Sequence, residues 1–545
     1  MTISSSWKYK PTAIRIEIFD GSVSVDDDPE DFNGTPSTTF SASALFLINQ
    51  ALPEAYIVSV SPRLSGLVSS AKDDISVPKY RLLAAVSPDT FTDSTINWYP
   101  VTLQGVEPLT DFNSTLRPFL TTEYELIPKT LGISMSHSEP LAVTVLQPSK
   151  ALLDRITIEW GQIDFCSDPS LLAANRKIRI ESSPFVLVNP VLFSNYLSIG
   201  TLSYLATPTA TKHSAVTAIF SDARYLDGMD GGPVFQDASN TCIGFVAGAL
   251  HKKSGQGDLS VIVPWDQVYK ALSTIVQYPP DTIQESRQEP SPLDTFTWLA
   301  FHGVLLLEVY RDHLRQSWGS GILLADDILV TNSHMIENGY RKITAWISTT
   351  ESVELEELGN PLPGIDIIFF KVKWGNKMNP KTRVVKPAQL CTDPKAYTPG
   401  RKVYSLGYGL IYPRMATGLP LQPLRSLGII SNIVSMPLFT TDSTSTPVML
   451  VSSACCWNGS SGGAVFDAET GRVISLMTSN GRVNETGQVI PQMAFTLPAL
   501  VVARGLAMLT ENQVIEVNPK VETLWQLRET HESLMVEDKP LKAKL

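Results

Sequence analysis

The sequence predicts an all-β-dominated protein built from two tandem copies of one fold. Three observations carry that prediction: short β-branched and apolar runs recur between turn signals, helical periodicity is scarce, and one glycine-rich block occurs twice. At 545 residues the chain is long enough for roughly two to four domains. The texture favours barrels or sandwiches over a doubly wound α/β sheet.

In chain order, Tyr56–Ser61 reads as a strand of the first copy, followed by Ser198–Ser203 (SIGTLS) and then Gly228–Phe245 (GMDGGPVFQDASNTCIGF). The last of these aligns without a gap to Gly459–Leu476 (GSSGGAVFDAETGRVISL), 231 residues further on. SIGTLS has its counterpart in Ser426–Ser431 (SLGIIS), 228 residues further on. Val261–Pro264 and Phe495–Pro498 each close an apolar strand on a proline, and helical stretches follow at Trp265–Val276 and Leu497–Leu509. Three matched blocks in the same order define two copies. Residues 277–296, with Pro279, Pro280, Pro290 and Pro292 and no apolar periodicity, read as a Pro-rich linker. Strands are expected at Ile322–Leu324, Ile328–Thr331, Val403–Leu406 and Val473–Met477. The domain division is therefore 1–276, linker 277–296, 297–505, and a short helical tail 506–545 whose amphipathic stretch is Val521–Met535.

Composition narrows the function. Hydrophobic residues make up 43% and charged residues 18%, an ordinary globular mix. A net charge of -11 gives no footing on phosphate backbones or anionic membranes, so no nucleic-acid partner is expected. No apolar run reaches the ~18–20 residues of a transmembrane helix, and the N-terminus has no apolar signal core, so neither membrane insertion nor secretion is expected. Five scattered cysteines form no disulfide framework, which points to thiols in a reducing compartment.

The chemistry gathers in the second copy. Gly459-Ser460-Ser461-Gly462-Gly463 has the form G-x-S-G-G, which holds a serine on a tight turn beside converging backbone amides. Upstream, Trp318–Leu324 and Ile328–His334 read as two strands joined through Asp326 and Asp327, the second delivering His334 at its end. Between lies Gly364-Ile365-Asp366-Ile367-Ile368-Phe369-Phe370, where an acid in apolar company calls for a cationic partner. Each residue has a bland reading: a glycine-rich hairpin, a surface histidine, a strand-edge acid. The order His334, Asp366, Ser461, with gaps of 32 and 95 residues, is that of a chymotrypsin-type triad. Ser461 would attack a carbonyl, His334 would relay the proton, Asp366 would hold the imidazole, and the amides of Gly459 and Ser461 would form the oxyanion hole. That chemistry needs no metal and no organic cofactor.

At these residues the sequence resembles the trypsin-like serine proteases, and within them the HtrA/Deg branch. GSGILLADDILVTNSH, GIDIIFF, Gly400–Gly407, SLGIIS and GSSGGAVF carry the likeness over about residues 316–500. The resemblance implies tandem chymotrypsin/HtrA-like double β-barrels. It departs from ordinary HtrA proteins in the extra N-terminal copy and in leaving no room for a PDZ domain. The chain ends Ala543-Lys544-Leu545, similar to the S-K-L peroxisomal address, and Ser183–Ser203 (SPFVLVNPVLFSNYLSIGTLS) also has a counterpart in one group. Together these features resemble the peroxisomal leader-peptide-processing proteases, also called glyoxysomal or Deg15-type. The resemblance implies a peroxisomal-matrix serine endopeptidase that removes presequences from imported matrix proteins. Its partners would be those substrates and an import receptor reading the terminal tripeptide; a homodimer is left open. In such enzymes the primary pocket floor lies about six residues before the nucleophile, near Cys455 and Cys456, where the absence of an acid favours a small or moderately apolar P1 residue. The plain alternative is two buried cysteines.

The first copy reads as chemically silent. Asp230 aligns with Ser461, and Pro62 stands where a histidine is needed. His137, His213 and His251 fall at the wrong points in the order. Two other functions compete: general quality-control proteolysis, and a silent binding or scaffold protein.

Overall fold

The computed structural model describes residues 7–22, 35–49, 54–66, 78–86, 91–92, 95–120, 123–128, 141–156, 161–166, 177–206, 216–237, 240–255, 257–280, 302–311, 314–348, 350–374, 385–412, 421–482, 489–511, 513 and 515–525. The C-terminal tripeptide, His137, His213, most of the linker and the end of the Val521–Met535 stretch lie outside the described residues.

Four six-stranded barrels succeed one another along the chain, two in each half. The strands of the first are Trp7–Ser22, Thr38–Asn49, Glu54–Ser59, Pro78–Val86, Tyr99–Pro108 and Ala142–Pro148. Those of the second are Lys177–Ser182, Tyr196–Ala206, Ala218–Ser221, Pro233–Gln236, Thr241–Lys252 and Asp258–Pro264. The third uses Val304–Arg311, Leu314–Leu323, Ile328–Thr331, Lys342–Trp346, Ser352–Gly359 and Ile368–Lys373. The fourth uses Lys402–Gly407, Leu424–Met436, Thr446–Ser452, Ala464–Asp467, Val473–Arg482 and Val489–Pro498. In every barrel the pairing runs first, second, third, sixth, fifth, fourth and back to the first. A shared non-sequential order in all four is what duplication of a double barrel requires, and the tandem double-barrel fold expected from the sequence is the one observed.

The core explains the apolar runs. In Val304–Arg311, Leu305, Leu307 and Val309 fill the third barrel, while Val304 and Leu306 face the layer between barrels three and four. Ile368 and Phe370 likewise point into the barrel, and Ile367 and Phe369 point out of it. A strand covered on both faces reads as a continuous apolar run rather than an alternation. Each half closes with a helix straight after the proline of its last strand, Trp265–Ile275 and Ala499–Glu511. In the first of these Trp265, Val268 and Leu272 form the buried stripe. A shorter helix, Pro519–Trp525, inserts Val521 and Trp525 into the core of the second half. All five cysteines are free.

The halves also pack on each other. Leu410, Ile411, Leu424 and Trp457 of the second half belong to the core cluster of the first, with Phe119, Tyr124 and Phe220. The second strands of barrels two and four lie side by side across this contact. Gln422 Nε2 donates to the Leu205 carbonyl (2.9 Å).

Candidate active site

The third strand of the third barrel ends at Thr331, and the chain turns into a short 3-10 segment, Ser333–Met335, carrying His334. Asp366 lies two residues before the sixth strand, whose Ile368 pairs with Thr331, so the two chain ends meet. His334 Nδ1 lies 2.6 Å from Asp366 Oδ2. The other carboxylate oxygen accepts from the His334 amide (3.0 Å) and the Ser333 hydroxyl (2.8 Å). Asn332 Nδ2 donates to the Asp366 carbonyl (2.9 Å). Burial pulls the His334 pKa down, but the hydrogen bond and charge of Asp366 outweigh it and leave the imidazole above its usual range. Burial pushes Asp366 up, yet the bonds from His334 and Ser333 leave its carboxyl below the usual range.

Ser461 arrives from the fourth barrel, in the turn before Ala464–Asp467. Its carbonyl accepts from the Ser320 amide of the third barrel (2.9 Å). Ser320 Oγ donates to the Gly459 carbonyl (3.1 Å), and Thr331 Oγ1 to the Ser320 carbonyl (2.7 Å). One set of bonds therefore fixes the serine turn to the strand that leads into His334. Ser461 Oγ donates to the Thr478 carbonyl (3.3 Å). The amides of Gly459 and Ser461 meet no acceptor among the described residues and remain available to a developing oxyanion.

Cys456 is a core residue of the fourth barrel, packed with Val465, Ile474 and Met477. Cys455 packs toward the first half, and its amide donates to Ser426 Oγ (3.0 Å). An acid does approach from the other copy: Asp222 accepts from the Thr201 amide (2.5 Å) and hydroxyl (3.0 Å), and after burial its charge helps push the Cys455 thiol up. Inspection of the second copy alone could not find it.

The first half repeats the framework without the reactive groups. Ser43 N donates to the Asp230 carbonyl (2.8 Å), Ser43 Oγ to the Gly228 carbonyl (2.7 Å) and Ser59 Oγ to the Ser43 carbonyl (2.8 Å). These are the counterparts of the three bonds through Ser320, Ser461, Gly459 and Thr331. Ser59 pairs with Thr144 as Thr331 pairs with Ile368. The positions of His334, Asp366 and Ser461 are thus held by Pro62, Ala142 and Asp230. Asp230 is fully buried, accepts from Ser61 and Tyr225, and lies 3.8 Å from Arg63 Nη1. Arg63, itself buried, is also paired with Asp227.

Among the described residues no three His, Cys, Asp or Glu side chains are grouped to hold a metal ion, and no helix is long and apolar enough to cross a membrane. The sequence left Ser320, Thr331, Asn332 and Ser333 without roles; they lay inside the quoted motif, but only the strand pairing gives them partners.

Residues 319–476 match the family model described as a trypsin-like peptidase domain. Over a longer stretch the chain is similar to two curated relatives, each named peroxisomal leader peptide-processing protease. The Homo sapiens protein is 24% identical over 350 residues, covering 61% of this chain and 55% of its own. The Mus musculus protein is 24% identical over 371 residues, covering 64% and 59%. The chain thus spans little more than half the length of these relatives. Among solved structures, a serine endoprotease from Yersinia pestis aligns over 41% of this chain and 69% of its own, at 18% identity and a TM-score of 0.29.

Proposed function

We propose that the chain is a serine endopeptidase of the peroxisome that removes N-terminal leaders from imported matrix proteins. The observation that carries the chemistry is the contrast between the two copies. One framework of bonds presents His334, Asp366 and Ser461 in the second half and Pro62, Ala142 and Asp230 in the first. Ser461 Oγ attacks the scissile carbonyl as His334 Nε2 takes its proton. Asp366, bonded to Nδ1, keeps the tautomer and balances the imidazolium. The amides of Gly459 and Ser461 receive the oxyanion, and His334 returns the proton to the leaving amine. Water then hydrolyses the acyl-enzyme by the same route. Residues 1–276 serve as a silent scaffold, 297–505 as the catalytic unit, and Ala543–Leu545 as the address read by an import receptor. The relatives' names and the trypsin-like domain support this assignment.

The test is reaction of the purified chain with a fluorophosphonate probe, with mass spectrometry of the modified peptide, beside cleavage of a leader-bearing matrix protein and of an unfolded protein. Labelling of Ser461 and release of the leader are expected. Preferred degradation of the unfolded protein would replace leader processing with quality control, and a folded sample that never labels would make the chain a scaffold.

A further inference from the structure

The Asn458–Gly459 peptide carries one of the two amides assigned to the oxyanion, and it is bonded to a loop that the first half of the chain contacts. The Leu410 amide donates to the Asn458 carbonyl (2.7 Å). In a planar trans peptide the carbonyl and the following N–H point in opposite directions, so holding the Asn458 oxygen aims the Gly459 N–H the other way. Half a turn of that peptide would break the bond to Leu410 and take the donor out of the hole. Leu410 is itself held in an uncommon conformation: it is fully buried with φ 54°, in the left-handed region that a branched side chain disfavours. Its carbonyl accepts from the hydroxyl of Tyr124, a buried residue of the first half, on the strand Tyr124–Ile127. Trp457, next to Asn458, also belongs to the first half's core cluster, and a Cβ on Gly257 would stand 2.9 Å from its Cδ1.

We propose that Tyr124 is a positioning residue for the oxyanion hole: through Leu410 it locks the Asn458–Gly459 peptide, so the silent half completes the catalytic half. This rests on the protease reading above. The arrangement places a donor from one copy 286 residues away from the carbonyl it grips. The interface therefore acts on transition-state stabilisation rather than on substrate binding, because the oxyanion donor acts only once charge has developed on the carbonyl oxygen.

The experiment compares full-length wild type, Tyr124→Phe and Gln422→Ala. Each is assayed for kcat and KM on a leader peptide, for affinity toward a peptidyl boronic acid, and for thermal midpoint. Gln422→Ala removes a bond across the same interface that does not lead to Asn458. Tyr124→Phe is expected to lower kcat and boronate affinity together, at least about tenfold within the ~100–1,000-fold reach of a lost oxyanion donor, with KM within about twofold. Gln422→Ala is expected to keep both near wild type. Unchanged kcat and boronate affinity in Tyr124→Phe, a loss confined to KM, or an equal loss in Gln422→Ala overturns the proposal. Gly257→Ala, which drives a methyl group against Trp457, gives a second and independent reading: the same kcat-only loss supports the relay, and wild-type kcat in a folded protein refutes it. A wild-type chain that neither cleaves nor labels sinks the protease reading instead.

Discussion

Asp230 and Ser461 occupy the same turn of equivalent barrels with opposite chemistry. Ser461→Ala is expected to lower cleavage by roughly 10,000-fold or more while leaving the thermal midpoint unchanged, since it removes the attacking oxygen and little packing. Asp230→Ala is expected to leave cleavage intact. It should cost about 3 kcal/mol of stability, read as a lowered midpoint, because Arg63 then stays buried with one carboxylate fewer. The pH profile follows from His334. Its imidazole must be neutral to take the serine proton, and Asp366 holds its pKa above the ordinary ~6.5, so kcat/KM should fall as pH drops through a limb above that value. Asp366→Asn removes the partner that raises it. The limb should move to lower pH, and kcat should drop by about 10,000-fold from loss of the correct tautomer. The pairing of His334 with Asp366 was legible in the sequence because residue order and apolar context are local patterns. Which of Cys455 and Cys456 turns into the barrel was not, because a run of two cysteines has no period to read.

At the scale of elements, strands buried on both faces decide the site's rigidity. The six residues Ile368–Lys373 and the four residues Ile328–Thr331 pair so that His334 and Asp366 emerge side by side from one end of the third barrel. The sequence displayed the apolar runs but could not divide them between faces, since a continuous run has no period to read. The turn after the nucleophile shows the tolerance of the join between barrels. Gly462 has φ 79°, and a Cβ there would stand 2.1 Å from both the Ser320 carbonyl and Thr331 Oγ1. Gly462→Ala is therefore expected to lower stability by about 2 kcal/mol or more and to lower kcat, as Ser461 moves off the framework; calorimetry beside a cleavage assay reads both. Gly231, with φ 85° and the same close neighbours from Ser43 and Ser59, obeys the same constraint in the silent copy. There the same close contacts hold the turn around Asp230.

At the scale of the whole molecule, two double barrels share a core. Removal of Ala543–Leu545 is expected to leave a tagged chain in the cytosol with its cleavage activity intact, which fractionation and assay of the same sample would show. Taken alone, the sequence determined the tandem repeat, the β-dominated class, the order of His334, Asp366 and Ser461, and the presence of Pro62 and Asp230 at the His334 and Ser461 positions of the first copy. These follow from residue type and local spacing, which backbone periodicity and turn chemistry translate directly into strands and turns. Only the tertiary structure decided that Leu410 and Trp457 are core residues of the opposite half, that Ala142 stands where Asp366 does, and that Tyr124 grips the loop that bonds Asn458. Contacts between positions hundreds of residues apart are chosen by shape and by the need to satisfy buried carbonyls and amides, and that choice leaves no periodic mark on the chain.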